Sequence, residues 1–299
     1  MRQLPENVLV TGGQGFIGRY VCELLDRLGV KTWAYDKVGG LNILDKRLLT
    51  EAVGWSGGVI HLAALLGTAE LYSNPHEAVD INVHGTVNVL EALADDDPGK
   101  PLVIIEQPHI WYNVYEATHE AATRMARGFH LDFGIPLSVV CAYNAYGPGQ
   151  AVGPTHPRKI IPTFADSAWR GKPLLVNDSG EQLVDLIYAG DVAHALVTAL
   201  MGPGDGATYH AGTGMGVSVK RVAEFVRTRV HEHGGPLVPI TYTQRRPGEN
   251  TKGDLRALAP SGTRYSLDWN LVSATVDWYR PASWAIGEAT QRPLAGLEP

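Results

Sequence analysis

The sequence predicts an α/β fold, a doubly wound parallel sheet with a smaller α/β C-terminal unit interleaved with it. Three observations carry that prediction. Short apolar runs alternate with helical patterns through the first half of the chain, which implies right-handed strand–helix–strand units. The first run passes straight into a glycine-rich turn and a helix. After Pro148 the alternation breaks and later resumes, so the second unit is not simply appended.

Val8-Leu9-Val10 reads as a buried parallel strand, and Gly18 to Leu28 as a helix stopped by Gly29. Strands follow at Lys31 to Tyr35 and at Gly58 to Leu62, with a helix over Val79 to Leu93. Pro101 to Ile105 is a strand, Glu116 to Asp132 a long helix, and Leu137 to Ala142 the next strand. Gly149 to Pro162, rich in Gly, Pro and His, reads as a loop leaving the sheet. A helix over Asp191 to Met201 and a strand near Tyr209 return to it. Ser218 is the N-cap of an amphipathic helix to Val230, and Leu271 to Tyr279 is a last helix. Trp269, Trp278 and Tyr279 are expected in the small unit's core. The boundaries that follow are 1–155 plus 180–213 for the sheet domain, and 156–179 plus 214–299 for the second.

The composition of the 299 residues, 44% hydrophobic and 19% charged, is that of a globular protein and not of a disordered chain. A net charge of −6 without a Lys/Arg block argues against nucleic acid as a partner. No apolar run is long enough to span a membrane, and the first residues lack a signal-peptide pattern, so a cytoplasmic location is expected. Cys22 and Cys141 give no disulfide framework. The histidines lack close-spaced carboxylate or thiol partners, so no metal site is expected; His61 and His109 are read as structural.

The first turn carries chemistry. Gly12, Gly15 and Gly18 lie between strand and helix with the spacing G-x-x-G-x-x-G. The first permits the tight turn, the second lets backbone approach a pyrophosphate, and the third lets the helix pack on the strand. The helix N-terminus offers free N–H groups and a positive dipole end to the anion. Asp36 ends the next strand, eighteen residues after Gly18. A carboxylate there accepts the ribose hydroxyls of NAD and repels the extra phosphate of NADP. The expected fold is therefore Rossmann-type and the expected cofactor NAD.

Thr11-Gly12-Gly13-Gln14-Gly15-Phe16-Ile17-Gly18 resembles the signature of extended short-chain dehydrogenases/reductases, the nucleotide-sugar epimerase/dehydratase family. Further segments match in order: His61-Leu62-Ala63-Ala64, Asn82-Val83 with Gly85-Thr86, Tyr115-x-x-x-His119, Asn144-Ala145-Tyr146-Gly147-Pro148, Tyr188 with Asp191-Val192, and Arg246-Pro247-Gly248-Glu249. The resemblance implies cofactor contacts from Phe16, Ile17, Asn42, Ile43, Leu62, Ala63, Ala64, Tyr115 and His119. It also implies substrate contacts from Asn144 and Arg246, and a homodimer. In such relatives a tyrosine exchanges a proton with a sugar hydroxyl while hydride passes to the nicotinamide.

Three departures touch that chemistry. His119 stands where the family has lysine, Gln107 where it has Ser or Thr, and Cys141 where many relatives carry arginine. Only three residues separate Trp111 from Tyr115, where relatives insert a loop of about twenty, so a more open substrate pocket is expected. A phenol with pKa about 10 needs a nearby cation to ionise near neutrality, and a largely neutral histidine helps less than lysine. Losing such help typically costs roughly 10²–10⁴ in rate. The Gln107 amide can orient a substrate oxygen but cannot relay a proton. Three readings remain: a nucleotide-sugar epimerase with Tyr115 as acid/base, His119 on the ribose and Gln107 orienting substrate; a dehydratase, decarboxylase or other repurposed relative; or a catalytically silent binding protein.

Overall fold

The computed structural model describes residues 2–108, 111–153, 156–249 and 265–281, together with the backbone of 254–255. Its elements, in chain order, begin with β1 (Asn7–Thr11), α1 (Phe16–Arg27), β2 (Lys31–Tyr35), α2 (Lys46–Trp55) and β3 (Val59–His61). They continue with α3 (Pro75–Val79), α4 (Gly85–Asp96), β4 (Leu102–Glu106), α5 (Val114–Phe133), β5 (Leu137–Ala142) and β6 (Asn144–Tyr146). Then come α6 (Ile160–Trp169), β7 (Leu174–Asn177), β8 (Leu183–Tyr188), α7 (Ala189–Leu200) and β9 (Asp205–Ala211). The last are β10 (Gly216–Ser218), α8 (Val219–Glu232), β11 (Ile240–Thr243), β12 (Asp254–Leu255) and α9 (Trp269–Trp278).

The main sheet has six parallel strands in the order β2-β1-β3-β4-β5-β9. Alternation along β1 divides the core. Val8 and Val10 join α1 and α7 on one face, whereas Leu9 joins α2, α4 and α5 on the other. The chain winds outward from β1 to β2 and returns to β3 on the opposite side, so the topological switch point lies between β1 and β3. In open sheets of this kind the ligand crevice lies there, at the carboxyl ends of the strands.

The second region is built on β8, which pairs with β6, β10 and β12, and on the parallel pair β7–β11. Helices α6, α8 and α9 pack beside it. Ser218 caps α8 as expected, its Oγ accepting from Arg221 N–H. Two expectations need correction. The segment expected to be a loop to Pro162 already turns helical at Ile160, because proline in a first turn forfeits no intrahelical hydrogen bond. Trp269 packs on Phe225, but Trp278 is 41% exposed and is not core. Helix α2, which the sequence reading did not assign, is capped by Asp45 Oδ1 accepting from Leu48 N–H.

Candidate active site

The glycine turn has the close packing that its spacing implies. A Cβ on Gly18 would lie 2.1 Å from Gly12 O, and one on Gly12, whose φ is +69°, would lie 2.8 Å from Ala63 N. The turn is thereby pressed against the residues that follow β3. Gly15 is the N-cap of α1 and has no side chain to cap that end, so the N–H groups of Phe16, Ile17 and Gly18 have no intrahelical acceptor. Asp36 Oδ2 accepts from Gln14 N–H and Oδ1 from Val38 N–H, both at 3.0 Å. The carboxylate is thus held at the rim of the same turn. A dinucleotide fits this donor and acceptor set: helix N–H groups for the pyrophosphate, and a fixed carboxylate for a ribose.

Buried hydrogen bonds tie β1, β3 and α4 together beside the turn. Thr86 Oγ1 donates to Asn82 O at 2.6 Å and therefore accepts from His61 Nε2–H at 2.9 Å. His61 Nδ1 is then the acceptor for the Thr11 hydroxyl at 2.6 Å. Thr11 Oγ1 in turn accepts from the N–H groups of Leu62 and Ala63, each at 3.2 Å. The chain closes for one neutral tautomer of His61, whose pKa burial lowers to about 4. Asn82, in a single π-helical turn over Asp80–His84, clamps Leu65 by both backbone groups and reaches Thr118 of α5 at 2.9 Å.

Helix α5 is started by an Asn113 cap, and Glu116 of its first turn reaches back to the chain before that cap. Asn113 Oδ1 accepts from Glu116 N–H at 2.9 Å, and Glu116 Oε2 accepts from Trp111 N–H at 2.7 Å. This fixes Tyr115 in the first turn. The His119 ring meets the Tyr115 ring edge-on, with centroids 4.7 Å apart. His119 also lines one cavity with Leu62, Ala63 and Ala64. Burial and the neighbouring Glu116 charge push the Tyr115 phenol above its ordinary value. Gln107 follows directly on β4, and its Nε2 is buried without a hydrogen-bond partner among the described residues.

The remaining sequence-derived candidates are dispersed. Ile43 is 5% exposed and packs in the core beside Gly85, and Asn42 Oδ1 accepts from Leu44 N–H in a local turn. Asn144 lies on β6, in register with Leu186. Arg246 is held by Glu249 at 2.9 Å through Nε and by Glu70 at 3.3 Å through Nη1. The shortened loop before Tyr115 leaves Tyr112 fully exposed and is tied at Asn113 to a distant segment. Asn113 Nδ2 donates to Gly248 O at 3.2 Å. Gly248 has φ +77°, and a Cβ on it would press on Asn113 and Thr68 at 3.1 Å. His109 lies outside the described residues.

Two charged residues here had no place in the sequence reading. Glu70, in a short 3-10 turn after β3, meets Arg246. Lys159, immediately before α6, places its Nζ 6.0 Å from the centroid of the Tyr115 ring. The signal that could have found it is a basic pair, Arg158-Lys159, directly before the apolar Ile160-Ile161.

The model of the NAD dependent epimerase/dehydratase family matches residues 8–105 and 108–212. The chain belongs to that family. Its cofactor is NAD, and its relatives act on nucleotide sugars by more than one reaction. A UDP-N-acetyl-alpha-D-glucosaminuronate decarboxylase from Bacillus cytotoxicus is 26% identical, over 93% of this chain and 98% of that protein. A dTDP-glucose 4,6-dehydratase from Xanthomonas campestris pv. campestris is 27% identical, over 91% of this chain and 92% of that protein. Among solved structures, the UDP-glucose 4-epimerase of Thermus thermophilus in complex with NAD superposes with a TM-score of 0.79. It shares 22% identity, covering 92% of this chain and 99% of that one, and so shows the same Rossmann-like fold. No described helix of this family member is long and apolar enough to cross a membrane.

Proposed function

We propose that the protein is an epimerase of nucleotide-linked sugars, working by transient oxidation at a ring carbon. The observation that carries this reading is Gln107. Its buried amide Nε2 lacks a partner among the described residues at the carboxyl edge of β4, where relatives carry a hydroxyl. An amide donor there orients a substrate oxygen and leaves Tyr115 to move the proton. One proton-transfer group is sufficient for oxidation followed by return to the opposite face of the carbon.

Bound NAD supplies reversible hydride acceptance. The α1 N-terminus at Phe16, Ile17 and Gly18 would hold the pyrophosphate, Asp36 the adenosine ribose, and His119 the nicotinamide-side ribose. Tyr115 Oη takes the hydroxyl proton of the sugar and later restores it. Arg246 would meet the substrate diphosphate, exchanging Glu70 or Glu249 for phosphate oxygens, and Asn144 is assigned a further substrate contact. The outward face of α5 is the proposed homodimer contact.

The test is incubation with NAD and a panel of UDP-, GDP- and dTDP-sugars, with products resolved by NMR. An epimer with unchanged carbon count and no net NAD reduction is the expected product. A 4-keto-6-deoxy product or release of carbon dioxide would replace this reading with dehydration or decarboxylation. The replacement of the family's lysine by His119, together with Gln107 and Cys141, favours a second reading, a ligand-binding relative without turnover. Inactivity on the whole panel, persisting in His119→Lys, would count heavily against the epimerase and for this reading.

A further inference from the structure

We infer that Lys159 is the cation that supports ionisation of Tyr115, supplied from the start of α6 where the usual lysine of α5 is replaced by His119. Its Nζ stands over the Tyr115 ring, 6.0 Å from the centroid, at the edge of the range in which a cation is attracted by an aromatic face, where its charge favours the phenolate. The inference rests on the reading of Tyr115 as the proton-transfer group.

The placement is not explained by α6 itself. Lys159 is that helix's N-cap, with extended backbone and no side-chain capping bond, a position where Ser, Thr, Asp or Asn would stabilise the helix. A positive charge also lies at the unfavourable end of the helix dipole. Ile161, Phe164, Ala165, Ala168 and Trp169 anchor α6 in the core, so the stem of Lys159 starts from a fixed point. A residue that breaks a local rule on a well-anchored element marks a site role.

The charges around the pair have a consistent arrangement. On α5, Glu116 opposes phenolate formation and His119 lies edge-on to the ring. From the turn after β3, Glu70 favours the ammonium form of Lys159, and Arg246 disfavours it. Burial holds Lys159 below the ordinary lysine value, outweighing Glu70. The cation is therefore lost earlier on the alkaline side than an exposed lysine would be. The support that Lys159 gives Tyr115 should therefore fade on the alkaline side.

The deciding experiment follows the tyrosine itself. Protein carrying 13C at tyrosine Cζ is titrated by NMR with and without NAD, and Tyr115→Phe identifies the resonance. Replacement Lys159→Met should raise the midpoint of Tyr115 in the NAD complex by roughly one to three pH units. Adding His119→Lys to that variant should bring it back down. Thermal melting of each variant checks that it is folded. An unmoved Tyr115 midpoint in folded Lys159→Met overturns the inference, including the case in which only KM for the sugar nucleotide rises and Lys159 is a phosphate ligand. Calorimetry with NAD reads the cofactor assignment separately, and the titration without NAD keeps the two failures distinguishable.

Discussion

Asp36 has two duties that a substitution can separate. Its oxygens accept from the Gln14 and Val38 backbone N–H groups, shaping the turn, and its charge faces the site where the ribose of NAD is expected. Asp36→Asn removes the charge and keeps one of the two acceptors of the turn, the other giving way to an amide NH2. A hydrogen bond to a charged group contributes about 1.5–3 kcal/mol, so the preference for NAD over NADP should fall by about ten-fold or more, as read from the two dissociation constants. An unchanged ratio would mean that the ribose is read elsewhere. The placement of Asp36 beside the glycine turn was legible in the sequence because strand, turn and acid lie within one continuous stretch. Lys159 was not, because its partner Tyr115 is distant in sequence and only the packing of α6 brings them together.

The elements that could be read were those with local causes. Helix α5 ends at Gly134 with φ +75° and α8 begins at Ser218, and both signals are written beside the helix they bound. Helix α6 was partly hidden because Pro162 falls in its first turn, and the bond from Asn113 to Gly248 joins segments far apart in the chain. That contact makes Asn113 a double device, cap of α5 on one side and latch for the Arg246–Glu249 turn on the other. Asn113→Ala should lower stability by about 1 kcal/mol, the usual worth of an N-cap, a fall in Tm of about 2 °C for a chain of this size. Asn113→Asp keeps the cap acceptor but not the donor to Gly248. It should restore Tm while raising KM for the sugar nucleotide, since Arg246 rides on the released turn. Equal melting of wild type and Asn113→Ala would show that the cap carries no energy.

The molecule as a whole gathers its site from the carboxyl ends of parallel strands, and the bonds that hold those ends together make stability depend on pH. His61 joins β1, β3 and α4 through Thr11 and Thr86 in its neutral form. Burial lowers its pKa from 6.5 to about 4, so below pH 6.5 the unfolded chain binds a proton that the folded chain refuses. The contribution is complete above pH 6.5 and is lost as pH falls toward 4, about 3 kcal/mol in all at 1.36 kcal/mol per pH unit. Asp191 works in the opposite direction across part of the same window. Burial raises its pKa from 3.8 to about 6 against the influence of His194, so its stabilisation is present at low pH and fades as pH rises through 6. The acid limb of wild type alone therefore mixes the two, and the difference between wild type and His61→Gln isolates the histidine, because Asp191 is common to both. Urea unfolding at half-unit steps between pH 7 and pH 4 should show the advantage of wild type shrinking by about 3 kcal/mol. An advantage constant across those steps would mean that His61 stays neutral in both states or is charged in both, and the tautomer deduced from the Thr11–His61–Thr86 chain would fall with it.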